Sequence, residues 1–129
     1  MTAPVRVTKD ESVFTMTVRD VADQSGVAES AVRFYERHGL VEAARTRGNP
    51  RRFAPGAPCR IKVARVAQRV GLTVREIGAV LSEVTPDSTP DVWARVGDRL
   101  VAEARERIRR LQETLDDLGS GQRLCEIDD

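Results

Sequence analysis

The sequence is short of the groups that most chemistry needs. Its 129 residues include two cysteines, one histidine, one tryptophan, one tyrosine and three phenylalanines. Cys59 and Cys125 are too few for a disulfide framework, and neither lies in a Cys-x-x-Cys pair that would suggest zinc or dithiol chemistry. With aromatics at 4%, the core must be aliphatic. No run approaches the roughly 18 consecutive apolar residues of a membrane span, and the first 16 residues lack the apolar stretch of a signal peptide. A cytoplasmic protein with no membrane partner is therefore expected. Nothing pairs a nucleophile with a base or groups carboxylates, which speaks against an enzyme, and with no cluster of metal ligands neither a metal nor a cofactor is expected. The length suits one compact domain plus an extension.

What the chain does have is charge, at 32% of residues, in a total that nearly cancels to +1. The total hides a segregation. Residues 17–72 hold eleven Lys/Arg against five Asp/Glu, net +6, whereas residues 73–129 hold eight against thirteen, net −5. A basic half joined to an acidic half is the electrostatic footprint of a nucleic-acid-binding module attached to something that does not touch nucleic acid.

Helical signals run through the chain with one interruption. Thr17-Val18-Arg19-Asp20 sets a capping hydroxyl three residues before an acid, and Val18, Val21 and Ala22 follow at helical spacing, so a helix over about 18–25 is expected, ended by Gly26. Glu29 to His38 repeats the pattern before Gly39. Helix, glycine turn, helix is the helix-turn-helix arrangement. Next, Gly48-Asn49-Pro50 punctuates two short runs that read as a β-hairpin, or wing, whose Arg45, Arg47, Arg51 and Arg52 must face outward. A third helix is expected over Cys59–Val70, preceded by Pro55 and Pro58, with Arg60, Lys62, Arg65 and Arg69 distributed around it. Thr73-Val74-Arg75-Glu76 opens a fourth, over about 74–84.

The last helix is the longest. Thr89 and Pro90 mark its start, and Trp93, Val96, Leu100, Ala104, Ile108, Leu111, Leu115 and Leu118 follow in steps of three and four. Such a stripe spans about 45 Å at 1.5 Å per residue, more than four short helices can cover. The same helix of a second chain is the economical partner, so Val96, Leu100, Ala104, Ile108, Leu111, Leu115 and Leu118 are read as a dimerisation seam. The expected architecture is mainly α: a flexible N-terminal arm (1–16), a winged helix-turn-helix domain (17–84), a dimerisation helix forming a coiled coil (89–118) and a C-terminal tail (119–129).

The run TVRDVADQSGVAESAVRFYERHGLV (17–41), followed by GNPRRF (48–53) and VARVAQRVGLTVREI (63–77), resembles the winged-helix DNA-binding domain of the MerR family of transcription regulators. Within that family it is most similar to the redox-responsive SoxR branch. The resemblance implies a homodimer on double-stranded promoter DNA, sitting in an over-long spacer and deforming it so that RNA polymerase engages both promoter elements. That branch carries four cysteines past the dimerisation helix for a [2Fe–2S] centre. Here residues 115–129 offer only Cys125, so the cluster is not expected.

DNA-contact candidates follow from how a helix-turn-helix docks. The second helix enters the major groove N-terminus first, which puts Glu29, Ser30 and Arg33 near base edges or phosphates, with Arg33 foremost. Tyr35, Arg37 and His38 lie further along and suit phosphates. On the wing, Asn49, Arg51 and Arg52 are expected along the backbone or in the minor groove. Thr17 is a candidate phosphate site through helix N-terminal amides. The resemblance adds that Tyr35 and Arg51 match positions used for DNA contact. Phe34 and Phe53 read as packing residues, and Trp93 as the anchor of the long helix or, alternatively, the wall of an effector site. Two other functions remain open: a thiol-based redox-responsive regulator using Cys59, near a helix start beside Arg60, or Cys125; and a non-regulatory interaction or architectural module built on the long helix.

Overall fold

In the computed structural model, residues 13–45, 51–85 and 88–128 are described. Helices α1 (Val18–Ser25) and α2 (Glu29–Arg37) are followed by a hairpin of β1 (Ala43–Arg45) and β2 (Arg51–Phe53), then α3 (Ala57–Val70), α4 (Val74–Leu81) and α5 (Pro90–Leu118), with a 3-10 turn at Leu124–Glu126. The chain is thus mainly helical with one small sheet.

Local chemistry sets the helix limits. The Thr17 hydroxyl accepts from the Asp20 amide at 3.0 Å, and the Asp20 carboxylate accepts from the Thr17 amide at 3.0 Å. Thr73 and Glu76 form the same reciprocal pair at 3.1 and 2.8 Å. The backbone N–H of Thr17 holds the Asp20 carboxyl below its ordinary pKa, and that of Thr73 does so for Glu76. Gly26 ends α1 at φ 75°, and its N–H returns to the Ala22 carbonyl at 2.9 Å.

The two strands pair antiparallel, Ala43 opposite Phe53 and Arg45 opposite Arg51. Met16 extends this ladder, exchanging both backbone hydrogen bonds with Phe53 at 3.1 and 2.7 Å, and Phe14 is buried. The end of the expected flexible arm therefore belongs to the body, because an apolar Phe14 and a strand edge are both available to it. The expected turn at Gly48-Asn49-Pro50 lies outside the described residues.

Two helix limits differ from expectation. Helix α3 starts at Ala57 rather than Cys59, with Pro58 inside the first turn, where a missing N–H costs nothing. Helix α4 stops at Leu81 rather than near 84, and Val84 folds back to bond the Leu81 carbonyl at 3.0 Å while staying buried. One core joins all of this, with Val21, Val32, Leu40, Val41, Phe53, Ile61, Ile77 and Leu81 fully buried. Arg60, partly buried, lies at its edge. Its Nε donates to the Leu40 carbonyl at 2.7 Å and its Nη1 to the Val84 carbonyl at 3.0 Å, tying α3 to the segments after α2 and α4. Burial lowers the Arg60 pKa, yet from a starting point so high that the group stays charged.

The long helix divides in two. Val96 is buried in the body's own core, and Val92, Trp93 and Leu100 pack against it. Beyond them Ile108, Leu111, Leu115 and Leu118 are 66%, 69%, 61% and 52% exposed. Val96 is thus not free for a partner helix, contrary to the sequence reading, and Leu100 is partly covered, since α3 and α4 offer α5 an apolar surface that covers its first turns. Ala104 is half-buried at the transition. No helix among the described residues is long and apolar enough to cross a membrane.

Replacing Arg60 with Met keeps the apolar stem and leaves two buried carbonyls without donors. Arg60→Met is expected to lower unfolding stability by about 2 kcal/mol, read as a lower urea midpoint at constant slope; an unchanged midpoint would mean those carbonyls find water.

Candidate nucleic-acid interface

Helix α2 is amphipathic because Val32 and Tyr35 recur at helical spacing and go to the core. The opposite face carries Ser30, Arg33, Arg37 and His38, all exposed. Arg33 forms an i,i+4 ion pair with Glu29 at 3.3 Å, with both side chains close to half exposed. A pair this open is worth a few tenths of a kcal/mol and yields readily to a competing anion. Arg37 lies 5.9 Å over the half-buried Phe34 ring, and the His38 ring packs against the same Phe34 ring, centroids 4.3 Å apart and tilted by 40°. His38 Nδ1 is 2.9 Å from the Phe34 carbonyl, an acceptor, so Nδ1 carries the hydrogen there and Nε2 faces away. Phe34 is in this way a platform that sets both basic side chains, and Phe53 is wholly core.

Two expected contacts are placed otherwise. Tyr35 is 6% exposed, and its hydroxyl donates to Gln68 Oε1 at 2.8 Å, so it ties α2 to α3 instead of standing toward a phosphate. The periodicity that makes α2 amphipathic puts residue 35 on the core side, one turn from Val32. Thr17 is also committed: its hydroxyl and amide and the Asp20 amide are used in the capping box, and the Asp20 carboxylate brings negative charge to that helix end.

The hairpin's arginines are anchored at their base. Arg51 Nη1 lies 3.1 Å from Glu36 Oε1, with about a third of its side chain exposed, and Arg52 donates to the Arg51 carbonyl at 3.1 Å. Arg52 is also among the cations lowering the Asp20 pKa. Glu36 of α2 thereby holds the base of the hairpin against the helix pair. Asn49 lies outside the described residues.

The sequence reading missed one basic surface. Lys62, Arg65, Val66, Gln68 and Arg69 line a shallow groove of about 480 Å³ on the outer face of α3. It borders α2, because Gln68 in its wall is the acceptor of the Tyr35 bond. The signal was available: positions 62, 65 or 66, and 69 are one helical stripe, complementary to the buried Ile61, Ala64 and Ala67. Arg60 departs from that stripe into the body, so its guanidinium serves two carbonyls and is not the charge partner expected for the Cys59 thiol. Cys59 and Cys125 are both exposed, the latter in the terminal 3-10 turn. Among the described residues, no three His, Cys, Asp or Glu side chains are grouped to hold a metal.

Residues 16–84 match the family described as MerR HTH family regulatory protein, and residues 59–120 match that described as MerR, DNA binding. The HTH-type transcriptional activator SoxR homolog of Chromobacterium violaceum is 38% identical over 108 residues, which are 82% of this chain and 73% of that protein. A MerR family transcriptional regulator from Listeria monocytogenes superposes with a TM-score of 0.54 at 27% identity, covering 81% of each chain. HiNmlR, a MerR family regulator lacking the sensor domain and bound to promoter DNA, shares the fold, with a TM-score of 0.52 at 20% identity over 81% of this chain and 85% of its own.

Tyr35→Phe separates the two placements of the hydroxyl. With Gln68 as its partner, the variant is expected to lose about 1 kcal/mol of stability and little nucleic-acid affinity. A large loss of affinity at unchanged stability would put the hydroxyl on a phosphate.

Proposed function

The chain belongs to the MerR family of helix-turn-helix regulatory proteins, and from that premise we propose that it is a cytoplasmic transcription regulator that binds promoter DNA as a homodimer and acts by distorting it. The observation that carries the reading is the placement of charge. Arg33, Arg37 and His38 are exposed on α2, and Lys62, Arg65 and Arg69 line the outer groove of α3, which the Tyr35–Gln68 bond ties to α2, while Asp20 caps α1 and Glu36 pairs with Arg51.

In this reading α2 enters the major groove with Ser30 and Arg33 leading, since its N-terminal residues lie nearest the base edges. The hairpin follows the backbone with Arg51 and Arg52, and the α3 groove adds phosphate contacts that fix register without reading sequence. Arg51 would exchange or share its Glu36 partner for a phosphate at little cost, because the pair is partly exposed.

Dimerisation falls to the outer half of α5. Ile108, Leu111, Leu115 and Leu118 repeat at steps of three, four and three, the spacing of a coiled-coil seam. The flanks carry charge suited to water: Arg109 pairs with Glu106 and Glu113, Arg110 with Glu106 at 3.1 Å, and Gln112 with Asp116 at 3.0 Å. The Arg109 hydrogen bond pulls the Glu106 carboxyl down to about 2, so Glu106 stays ionised at any physiological pH. Two DNA-reading bodies held by one seam present two α2 helices to a pseudo-palindromic site. Deforming the duplex between them is the route by which RNA polymerase would be helped rather than blocked.

A [2Fe–2S] cluster, the sensor of the SoxR branch, does not fit the residues present. It needs four thiolates, whereas the sequence holds two cysteines, one on α3 of the body and one in the terminal turn. No step is therefore routed through it.

Titrating duplex DNA from upstream of the protein's own gene at several salt concentrations tests DNA binding. Log affinity is expected to fall linearly with log salt, and Arg51→Ala to weaken binding broadly and reduce the slope by about one. Affinity indifferent to salt would sink the reading. Leu111→Asp is expected to convert dimer to monomer in sedimentation at micromolar concentration, and a variant that still sediments as a dimer would remove the outer half of α5 from the interface.

A further inference from the structure

Where α5 leaves the body, one side chain bridges the two. Arg107 Nη1 donates to Glu103 Oε1 at 2.6 Å and to the Glu103 carbonyl at 3.3 Å, and its Nη2 lies 3.6 Å from Glu76 Oε1. Its Nε and Cδ stand 3.2 and 3.5 Å from where a Cβ on Gly71 would be. Gly71, at φ 107°, is the residue that ends α3, and Glu76 belongs to the capping box that opens α4. The guanidinium therefore sits in the notch between two body helices, only 23% exposed, while the very next residue, Ile108, is 66% exposed. The backbone at φ 107° favours glycine at position 71, and a Cβ there would press on the Arg107 side chain.

We propose that Arg107 is the positioning residue that sets the angle between the dimerisation helix and the DNA-reading body, and so the separation of the two α2 helices in the dimer. The inference rests on the dimeric DNA-binding reading. Among the described residues, Arg107–Glu76 is the outermost ion pair between α5 and the body; Arg110 acts on Glu76 only at longer range, and the pairs of Arg109 and Arg110 with Glu106 and Glu113 stay within α5. It is a two-sided brace: Glu103 orients the guanidinium from within α5, and Glu76 and Gly71 receive it on the body. The leverage is considerable. A body of some 70 residues is roughly 25 Å across, so a rotation of about 10° at this joint moves its far side by roughly 4 Å. That exceeds one base-pair rise of about 3.4 Å. A looser joint would leave each half-site contact intact and blur the spacing between them.

The test uses the full chain and a duplex recovered by in vitro selection on the wild-type protein, resynthesised with one or two base pairs inserted or deleted at its centre. Wild type is expected to prefer the selected spacing. Arg107→Ala is expected to stay dimeric in sedimentation, lose about tenfold in affinity at that spacing, and bind the altered spacings as well as wild type or better. Arg107→Lys, which restores the charge without the fork, should recover part of the preference, and Glu76→Gln, which can still cap α4, should show the same flattening more weakly. A wild-type spacing preference in Arg107→Ala, or an equal loss of affinity at every spacing, would overturn the proposal, the second because it marks a merely structural role. If wild-type protein sediments as a monomer or ignores spacing, the dimeric reading itself fails, an outcome distinct from failure of Arg107 alone.

Discussion

The organisation of this protein follows from a mismatch of lengths. Helix α5 carries an apolar stripe along 29 residues, and the body formed by the hairpin and the four shorter helices covers only its first half. Val96 and its neighbours dock, and from Ile108 onward the stripe faces water. Each exposed leucine or isoleucine forgoes roughly 1.5–3 kcal/mol of burial. Four of them in register on one face are a strong drive to associate, and coiled-coil spacing makes a second copy a fitting cover. Without the overhang the chain would be a single reading head; with it, two heads have a means of being held at a fixed separation.

The head itself is built around cations with assigned duties. Arg60, partly buried, is turned inward to the edge of the core, where two carbonyls hold it. Arg51 is steadied by Glu36 of α2, Arg52 by the Arg51 carbonyl, and Arg107 braces α5. The cations left outward, on α2 and along α3, are the ones a polyanion would meet. The near-neutral total charge is thus compatible with DNA binding, because the negative balance lies after residue 72, spread over the α4 segment, α5 and the tail, and not on α2, the hairpin or α3.

Much of this was legible in the residues. Both capping boxes, the glycines that end α1 and α3, and the start of α5 at Thr89 and Pro90 are signals carried by neighbours in sequence, and the folded elements begin or end there. What escaped was decided by contacts between distant residues. A three-four apolar repeat looks alike whether it meets its own body or a partner, so the division of α5 after Leu100 was invisible. Tyr35 finds Gln68 across 33 positions, and Arg60 finds Leu40 and Val84 across 20 and 24. No local pattern encodes those choices. The basic stripe on α3 is a different case, since its helical spacing was present in the sequence, obscured by Arg60, which interrupts it and turns inward.

The central claim is that two copies of this chain hold one stretch of DNA and deform it. Hydroxyl-radical footprinting of the promoter upstream of its gene addresses that claim in a single experiment. The account expects two protected tracts on each strand, related by two-fold symmetry and separated by about 34 Å or a multiple of it, with altered cleavage between them where the duplex is strained. A single protected tract, or none, would contradict it.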